Sequence, residues 1–327
     1  MERKIIKCEI LLTRKCNYKC KYCAIRRNIE TNRDFGLWKD TLQALKLLGS
    51  EINPIYGAEP LLEKDLLLKI LKYSAEIDMP NTLITNASLI TGDVAKELYD
   101  SGLRSITFSY DGNYIFADEF SARKSSHAER AIEIFKKFDM RDIEIVVTVS
   151  RRNFRELEEI LGRFSEMGVW VSFDLIHWDR GQPDSKCPPR HTIEDLLFTK
   201  QHIRDLKTML TSLKKKRREE GRLLHQDDRT IDIICNNLPG YTWSCNDFGF
   251  ITLEADLTVR PCDDFCPQEI RGKYTVPDLL EKWDEFQTLR KSLRKKYKCR
   301  CLWSTHIMSE IMYKEREAGA YFRHERY

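Results

Sequence analysis

No stretch of this 327-residue sequence approaches the roughly 18 consecutive apolar residues that a membrane-spanning helix needs. A secretory signal is missing too, since Lys4-Ile5-Ile6 runs straight into a strand pattern. There is no excess of charge of one sign. The 55 Lys and Arg stand against 51 Asp and Glu, for a net charge of +4. That balance gives no basis for a nucleic-acid-binding stripe or an acidic partner. The basic runs at 214–218 and 291–300 read as solvated helix faces. Low-complexity tracts are absent, and no repeat stands out beyond an alternation of strands and helices. These absences predict a cytoplasmic protein with neither a membrane nor a nucleic acid as partner. In such a compartment thiols stay reduced, so the 11 cysteines point to metal ligation rather than disulfides.

What is present is rhythm. Short apolar, β-rich runs at 5–12, 52–56, 81–84, 105–110, 143–149 and 169–176 alternate with helical stretches. The clearest apolar stripe is Phe154, Leu157, Ile160, Leu161 and Phe164; Leu67, Ile70, Leu71 and Tyr73 form another. Six β-α repeats predict an α/β fold, a partial (β/α)6 TIM-like barrel. The residues following each strand then gather on one face, where such folds place their chemistry. Residues 177–191, with three prolines and no periodicity, read as a loop over that face. Thr192 followed by Asp195 predicts a helix start, with the helix running to about 220. The expected organisation is a barrel over 1–190, a helical connector over 191–240 and a small cysteine-rich domain over 241–327.

Directly after the first strand comes Cys16-Asn-Tyr-Lys-Cys20-Lys-Tyr-Cys23. At this cysteine content, such spacing arises by chance in roughly one sequence in a hundred. Three thiolates on one loop can hold three irons of a cubane cluster and leave the fourth open. A structural zinc site wants four protein ligands, and a fourth from elsewhere would satisfy it, so zinc stays an alternative at this stage.

The Cys-x3-Cys-x2-Cys pattern, with Tyr22 before its last cysteine, resembles the radical S-adenosylmethionine (radical SAM) superfamily. The resemblance covers residues 8 to about 176 and implies a site-differentiated [4Fe-4S] cluster on Cys16, Cys20 and Cys23, with S-adenosylmethionine on the open iron. It also implies an electron donor such as flavodoxin or ferredoxin. Tyr22 stands where the family packs an aromatic residue near the adenine. Tyr56-Gly57-Ala58-Glu59-Pro60 resembles the family's Gly-Gly-Glu-Pro element, which holds the cofactor's ammonium; Ala58 replaces its second glycine. Thr85-Asn86-Ala87 matches a Thr-Asn-Gly turn, and Ser109-Tyr-Asp111-Gly112 matches the Ser-x-Asp-Gly of the branch that modifies peptides and small molecules. By the same likeness, Ser109 touches the cofactor and Arg123 pairs its carboxylate.

Cys245 and Cys262 bracket a hairpin-like stretch, and Cys299-Arg-Cys301 follows a helical segment. This order resembles the auxiliary-cluster domain of that branch in its shortened Twitch form, related to the longer SPASM form. The resemblance implies a second [4Fe-4S] cluster. Leu257 stands where the family has a turn glycine, and Cys266 is a rival fourth ligand. Zinc competes in this domain as well. Cys8, Cys187 and Cys235 read as structural.

His177, Asp179 and Arg180, just past the sixth strand, are the candidate catalytic residues, and Tyr241 and Trp243 are candidate walls of the site. The expected reaction is hydrogen-atom abstraction from a small polar metabolite, with net oxidation, dehydrogenation or rearrangement assisted by the auxiliary cluster. With seven residues ahead of Cys8, a leader-binding segment is not expected, so the small molecule is favoured over a ribosomal peptide. A non-catalytic zinc-stabilised scaffold is the alternative from another class. It explains the cysteines but not Glu59 and Ser109 at strand ends.

Overall fold

The computed structural model describes residues 4–25, 29–112, 121, 124–245 and 249–317. Its centre is one sheet. β1 (Lys7–Thr13), β2 (Pro54–Gly57), β3 (Thr82–Thr85), β4 (Ser105–Tyr110), β5 (Asp142–Val149) and β6 (Trp170–Leu175) lie side by side in chain order. All neighbouring pairs among them are parallel, as in Ser105 opposite Asp142 and Glu144 opposite Trp170. Parallel neighbours need a crossover, and the intervening helices supply it. These are α1 (Phe35–Leu48), α2 (Lys64–Glu76), α3 (Gly92–Asp100), α4 (Ser125–Phe135) and α5 (Leu157–Glu166).

The strands' two-residue alternation sorts side chains between two environments. On β4 and β5, Ile106, Phe108, Ile145 and Val147 pack in the apolar core, where Leu157, Leu161 and Phe164 of α5 are also buried. Ser105, Thr107, Asp142 and Glu144 face the opposite way and line a cavity inside the curved sheet. This is the partial TIM-like barrel that the strand rhythm predicted. The lumen is polar.

Two further strands extend the sheet. β7 (Phe250–Leu253) pairs parallel with β1, from Lys7 opposite Phe250 to Ile10 opposite Leu253, and β8 (Val259–Arg260) returns antiparallel. The cysteine-rich region therefore continues the barrel wall. Leu257 in the hairpin turn has φ +71°, the left-handed region in which glycine is at ease. Buried charges fasten this hairpin to the end of β1. Arg14 donates to Glu254 (Nε to Oε1, 2.9 Å), Arg260 donates to both Glu254 (3.3 Å) and Asp184 (2.5 Å), and all four side chains are buried.

Helices α6 (Lys200–Glu219), α7 (Asp228–Asn237), α8 (Asp278–Lys296) and α9 (Ser304–Glu317) complete the chain. The expected start of α6 at Thr192 moves to Lys200. Ile193, Leu196 and Leu197 are buried against Ile176, with Tyr22 packed beside them, and Thr199 caps the helix by accepting from the His202 amide. Burial of that apolar trio outweighs local helix propensity. α9 closes the lumen: the Ser304 amide donates to Asp174 (2.8 Å), Lys7 donates to Thr305, and Met308, Ser309 and Met312 line the cavity.

Candidate functional site

Three strand ends converge on the first cysteine loop. Cys16 follows β1 directly, and the loop closes on itself through the Tyr18 amide donating to Cys16 Sγ (3.3 Å) and the Cys23 amide donating to Cys20 O (3.2 Å). Cys16 and Cys23 are half-buried, while Cys20 is buried and its thiol donates to Ser121 O (2.6 Å).

Glu59 ties the neighbouring strand ends together. Its carboxylate is fully buried and accepts from the Leu61 amide (3.1 Å), Thr85 Oγ1 (2.8 Å) and the Asn86 amide (2.9 Å), while its own amide donates to Lys15 O (2.9 Å). The carboxylate thus faces into the protein and fixes the turn that Pro60 begins. Gly57 has a local reason as well: a Cβ there would lie 2.5 Å from Thr13 O, so the glycine serves the approach of β2 to β1. Ala58 donates its amide to the same Thr13 carbonyl (3.0 Å). Asn86 donates from Nδ2 to Asn17 Oδ1 (2.9 Å), inside the cysteine loop, and Asn17 donates back to Ser88 (2.8 Å). Ala87 has φ +64°, the backbone geometry that a Thr-Asn-Gly turn reserves for glycine. Tyr22 and Asp111 are brought together, with the phenol donating to the carboxylate at 2.6 Å. Ser109 is half-buried on β4, on the same side of the strand as Ser105 and Thr107. Arg123 lies outside the described residues.

The residues after β6 are engaged in hydrogen bonds within the protein. His177 accepts from the Leu302 amide at Nε2 (3.0 Å), bonds Leu175 O through Nδ1 (2.6 Å) and stacks on Trp303 with centroids 3.9 Å apart. Burial lowers its pKa to about 3, so it stays neutral. Arg180 donates to Tyr241 O (2.7 Å) and Gly240 O (2.6 Å), and Asp179 accepts from the Gly181 amide (2.8 Å). With both ring nitrogens of His177 engaged and Arg180 donating to two carbonyls, these groups hold the loop in place. Tyr241 is buried and donates to Ile176 O (3.0 Å); the Trp243 carbonyl accepts from the Cys301 amide (3.0 Å).

A second sulfur-rich cavity lies beside the hairpin. Cys245, Cys262, Cys299 and Cys301 all line it, with His306, Arg290 and Arg294. Cys266 does not line it; that thiol is buried beside Arg260 and Arg271. The Cys245 thiol is drawn down to about 6, first by its hydrogen bond to Cys301 and, against burial, by Arg294, His306 and Arg290. Arg290 is almost wholly buried and donates to Phe250 O (2.8 Å).

Both donor sets fit iron–sulfur clusters. On the first loop three cysteines leave a fourth position without a protein sulfur, and two of them reach the surface. In the second cavity four sulfurs meet two arginines, which suits an anionic group.

Sequence reasoning missed the polar links between the two sites. The Lys186 carbonyl accepts from the Ala24 amide (2.8 Å), next to Cys23, and its ammonium donates to Asp263, next to Cys262, while lying 4.1 Å above the Trp303 ring. Lys7 donates to Glu9 (2.7 Å), and His306 lies 3.7 Å from Glu9 and 3.4 Å from Asp263. Lys7, Glu9, Lys186 and Asp263 all line the 240 Å³ lumen. The period-two pattern of Lys7 and Glu9 within an otherwise apolar strand was the available signal; Lys186 and His306 carried none.

Comparison with known proteins gives the same address. Residues 10–164 match the model of the radical SAM superfamily. The chain is 28% identical over 160 residues to PqqA peptide cyclase of Bradyrhizobium diazoefficiens, covering 46% of this chain and 40% of that one. It is 23% identical over 270 residues to AdoMet-dependent heme synthase of Oleidesulfovibrio alaskensis, covering 77% and 68%. It spans about half the length of several of the curated relatives it matches. Among solved structures, anSMEcpe with bound AdoMet and Cp18Cys peptide superposes with a TM-score of 0.62 at 17% identity, over 85% of this chain and 79% of that one; the likeness is one of fold. Residues 10–164, just under half of the chain, are thus a radical SAM domain.

Proposed function

We propose that this protein is a radical SAM enzyme that oxidises or rearranges a small polar substrate held in the barrel lumen. The observation that carries the reading is the 240 Å³ cavity enclosed by the parallel strands and α9, with the cysteine loop following directly on β1 of that barrel. Bound on Cys16, Cys20 and Cys23, a [4Fe-4S] cluster with S-adenosylmethionine supplies a 5′-deoxyadenosyl radical able to take a hydrogen atom from carbon.

The chain's own residues do the rest. Glu59 and Asn86 hold the strand ends and the cysteine loop in register. The backbone of residues 57–59, Ser109 and the Tyr22–Asp111 pair are proposed to contact the nucleotide, and Arg123 to pair its carboxylate. Cys245, Cys262, Cys299 and Cys301 are proposed to hold a second [4Fe-4S] cluster. Lys7, Glu9, Thr107, Glu144, Asp174 and Lys186 offer the lumen a set of polar contacts suited to a substrate with several hydrogen-bonding groups. α9 and the loop at 177–191 exclude water from that space.

A peptide substrate is the second reading, favoured by the match to PqqA peptide cyclase. In that reading a chain end rather than a free metabolite enters the lumen. Anaerobic incubation with S-adenosylmethionine and dithionite tests the core of the proposal. Formation of 5′-deoxyadenosine supports it, and a colourless zinc protein without that product removes it.

A further inference from the structure

We infer that His306 is a positioning residue that hydrogen-bonds one ligand sulfur of the second cluster, that of Cys262, and couples it to the carboxylates of the lumen. The inference rests on the proposed role of Cys245, Cys262, Cys299 and Cys301 as one ligand set.

His306 lies in the first turn of α9, and its ring occupies the seam between the two cavities. It is almost wholly buried and packs face to face on Phe250, with centroids 4.6 Å apart and planes 16° apart. Both ring nitrogens lie 3.9 Å from Cys262 Sγ, within reach of a sulfur hydrogen bond. Nε2 is also 3.4 Å from Asp263 Oδ1 and 3.7 Å from Glu9 Oε2. The Cys262, Asp263 and His306 donor atoms all lie within 4.8 Å of one another. Glu9 and Asp263 line the lumen; Cys262, Cys301 and His306 line the sulfur cavity.

A buried imidazole that meets both a sulfur and carboxylates is a familiar arrangement around metals: the carboxylate fixes the ring, and a ring N–H bonds the ligand. An N–H directed at a cluster sulfur stabilises the reduced, more negative state and raises the reduction potential. Four cysteines already suffice for a cubane, so His306 is assigned this role rather than that of a ligand. The consequence is that charge on the lumen side is felt at the cluster through one side chain.

The test is the reduction potential of the second cluster, read by EPR-monitored titration in a background lacking the first (Cys16→Ala, Cys20→Ala, Cys23→Ala). His306→Phe keeps the ring stack on Phe250 and removes the donors; His306→Gln keeps a donor. With iron content held at about four per chain, His306→Phe is expected to shift the potential downward and His306→Gln to restore part of the shift. An unchanged potential in His306→Phe overturns the inference. So does loss of iron in both variants, which would make the histidine a ligand. If the triple-cysteine background itself binds no cluster, the second-cluster reading fails first and the inference with it.

Discussion

The two cysteine sites are built in opposite ways. The first takes its three sulfurs from eight consecutive residues on one loop; the second gathers four sulfurs from positions 245 to 301 into a cavity with two arginines and a histidine. A local loop with three sulfurs can present an unfilled metal corner to a ligand arriving from solvent. A cavity assembled from a hairpin, a helix end and a buried seam closes around its contents. The difference teaches where catalysis and electron storage are to be sought in this fold. It also yields tests.

The largest expected effect comes from removing the first site. Cys16→Ala, Cys20→Ala and Cys23→Ala together should drop iron from about eight to about four per chain and abolish 5′-deoxyadenosine formation. Cys245→Ala with Cys262→Ala should remove the other half of the iron and leave reductive cleavage measurable. If both variants behave alike, the division of labour is broken.

Next is the packing that each site depends on. Glu59→Gln deprives the Leu61 and Asn86 amides and the Thr85 hydroxyl of a charged acceptor, which should cost about 2 kcal/mol in denaturant unfolding and raise the KM for S-adenosylmethionine. Arg290→Met removes the bond to Phe250 O and the positive charge beside the sulfurs, at a similar cost of about 2 kcal/mol. It should leave that KM unchanged.

A pH scan sharpens the comparison further. His177 is held neutral, its pKa lowered from 6.5 to about 3 by burial. The unfolded chain binds that proton more readily, so the stability His177 contributes is present above pH 6.5 and is lost progressively as pH falls toward 3. Chemical-denaturation midpoints measured from pH 7 to pH 5 should fall, and less steeply in His177→Asn. The smallest effect is at Ala87, where φ is +64°; Ala87→Gly should raise stability by about 0.5 kcal/mol by relieving the left-handed strain.

The same contrast explains what could be read from the sequence. The six barrel strands and the Cys16, Cys20, Cys23 loop were legible because strand periodicity and short spacings are local signals. Ala87 and Leu257, each standing where glycine is usual in relatives, proved to have the positive φ that a glycine position implies. The apparent helix start at Thr192 misled because Ile193, Leu196 and Leu197 are claimed by burial. His177 and Arg180 were singled out by their place after β6, while their hydrogen bonds to the backbone of distant residues could not be seen in one dimension. Lys186 and His306 were invisible for the same reason: each matters through partners at residues 9, 24, 262 and 263.

The most direct measurement is EPR of the Cys245→Ala, Cys262→Ala protein, reduced without oxygen, before and after adding S-adenosylmethionine. The account predicts a single reduced cluster whose signal changes on addition, because its fourth iron accepts the nucleotide. A signal that stays the same, or a protein with no cluster on the first loop, contradicts it.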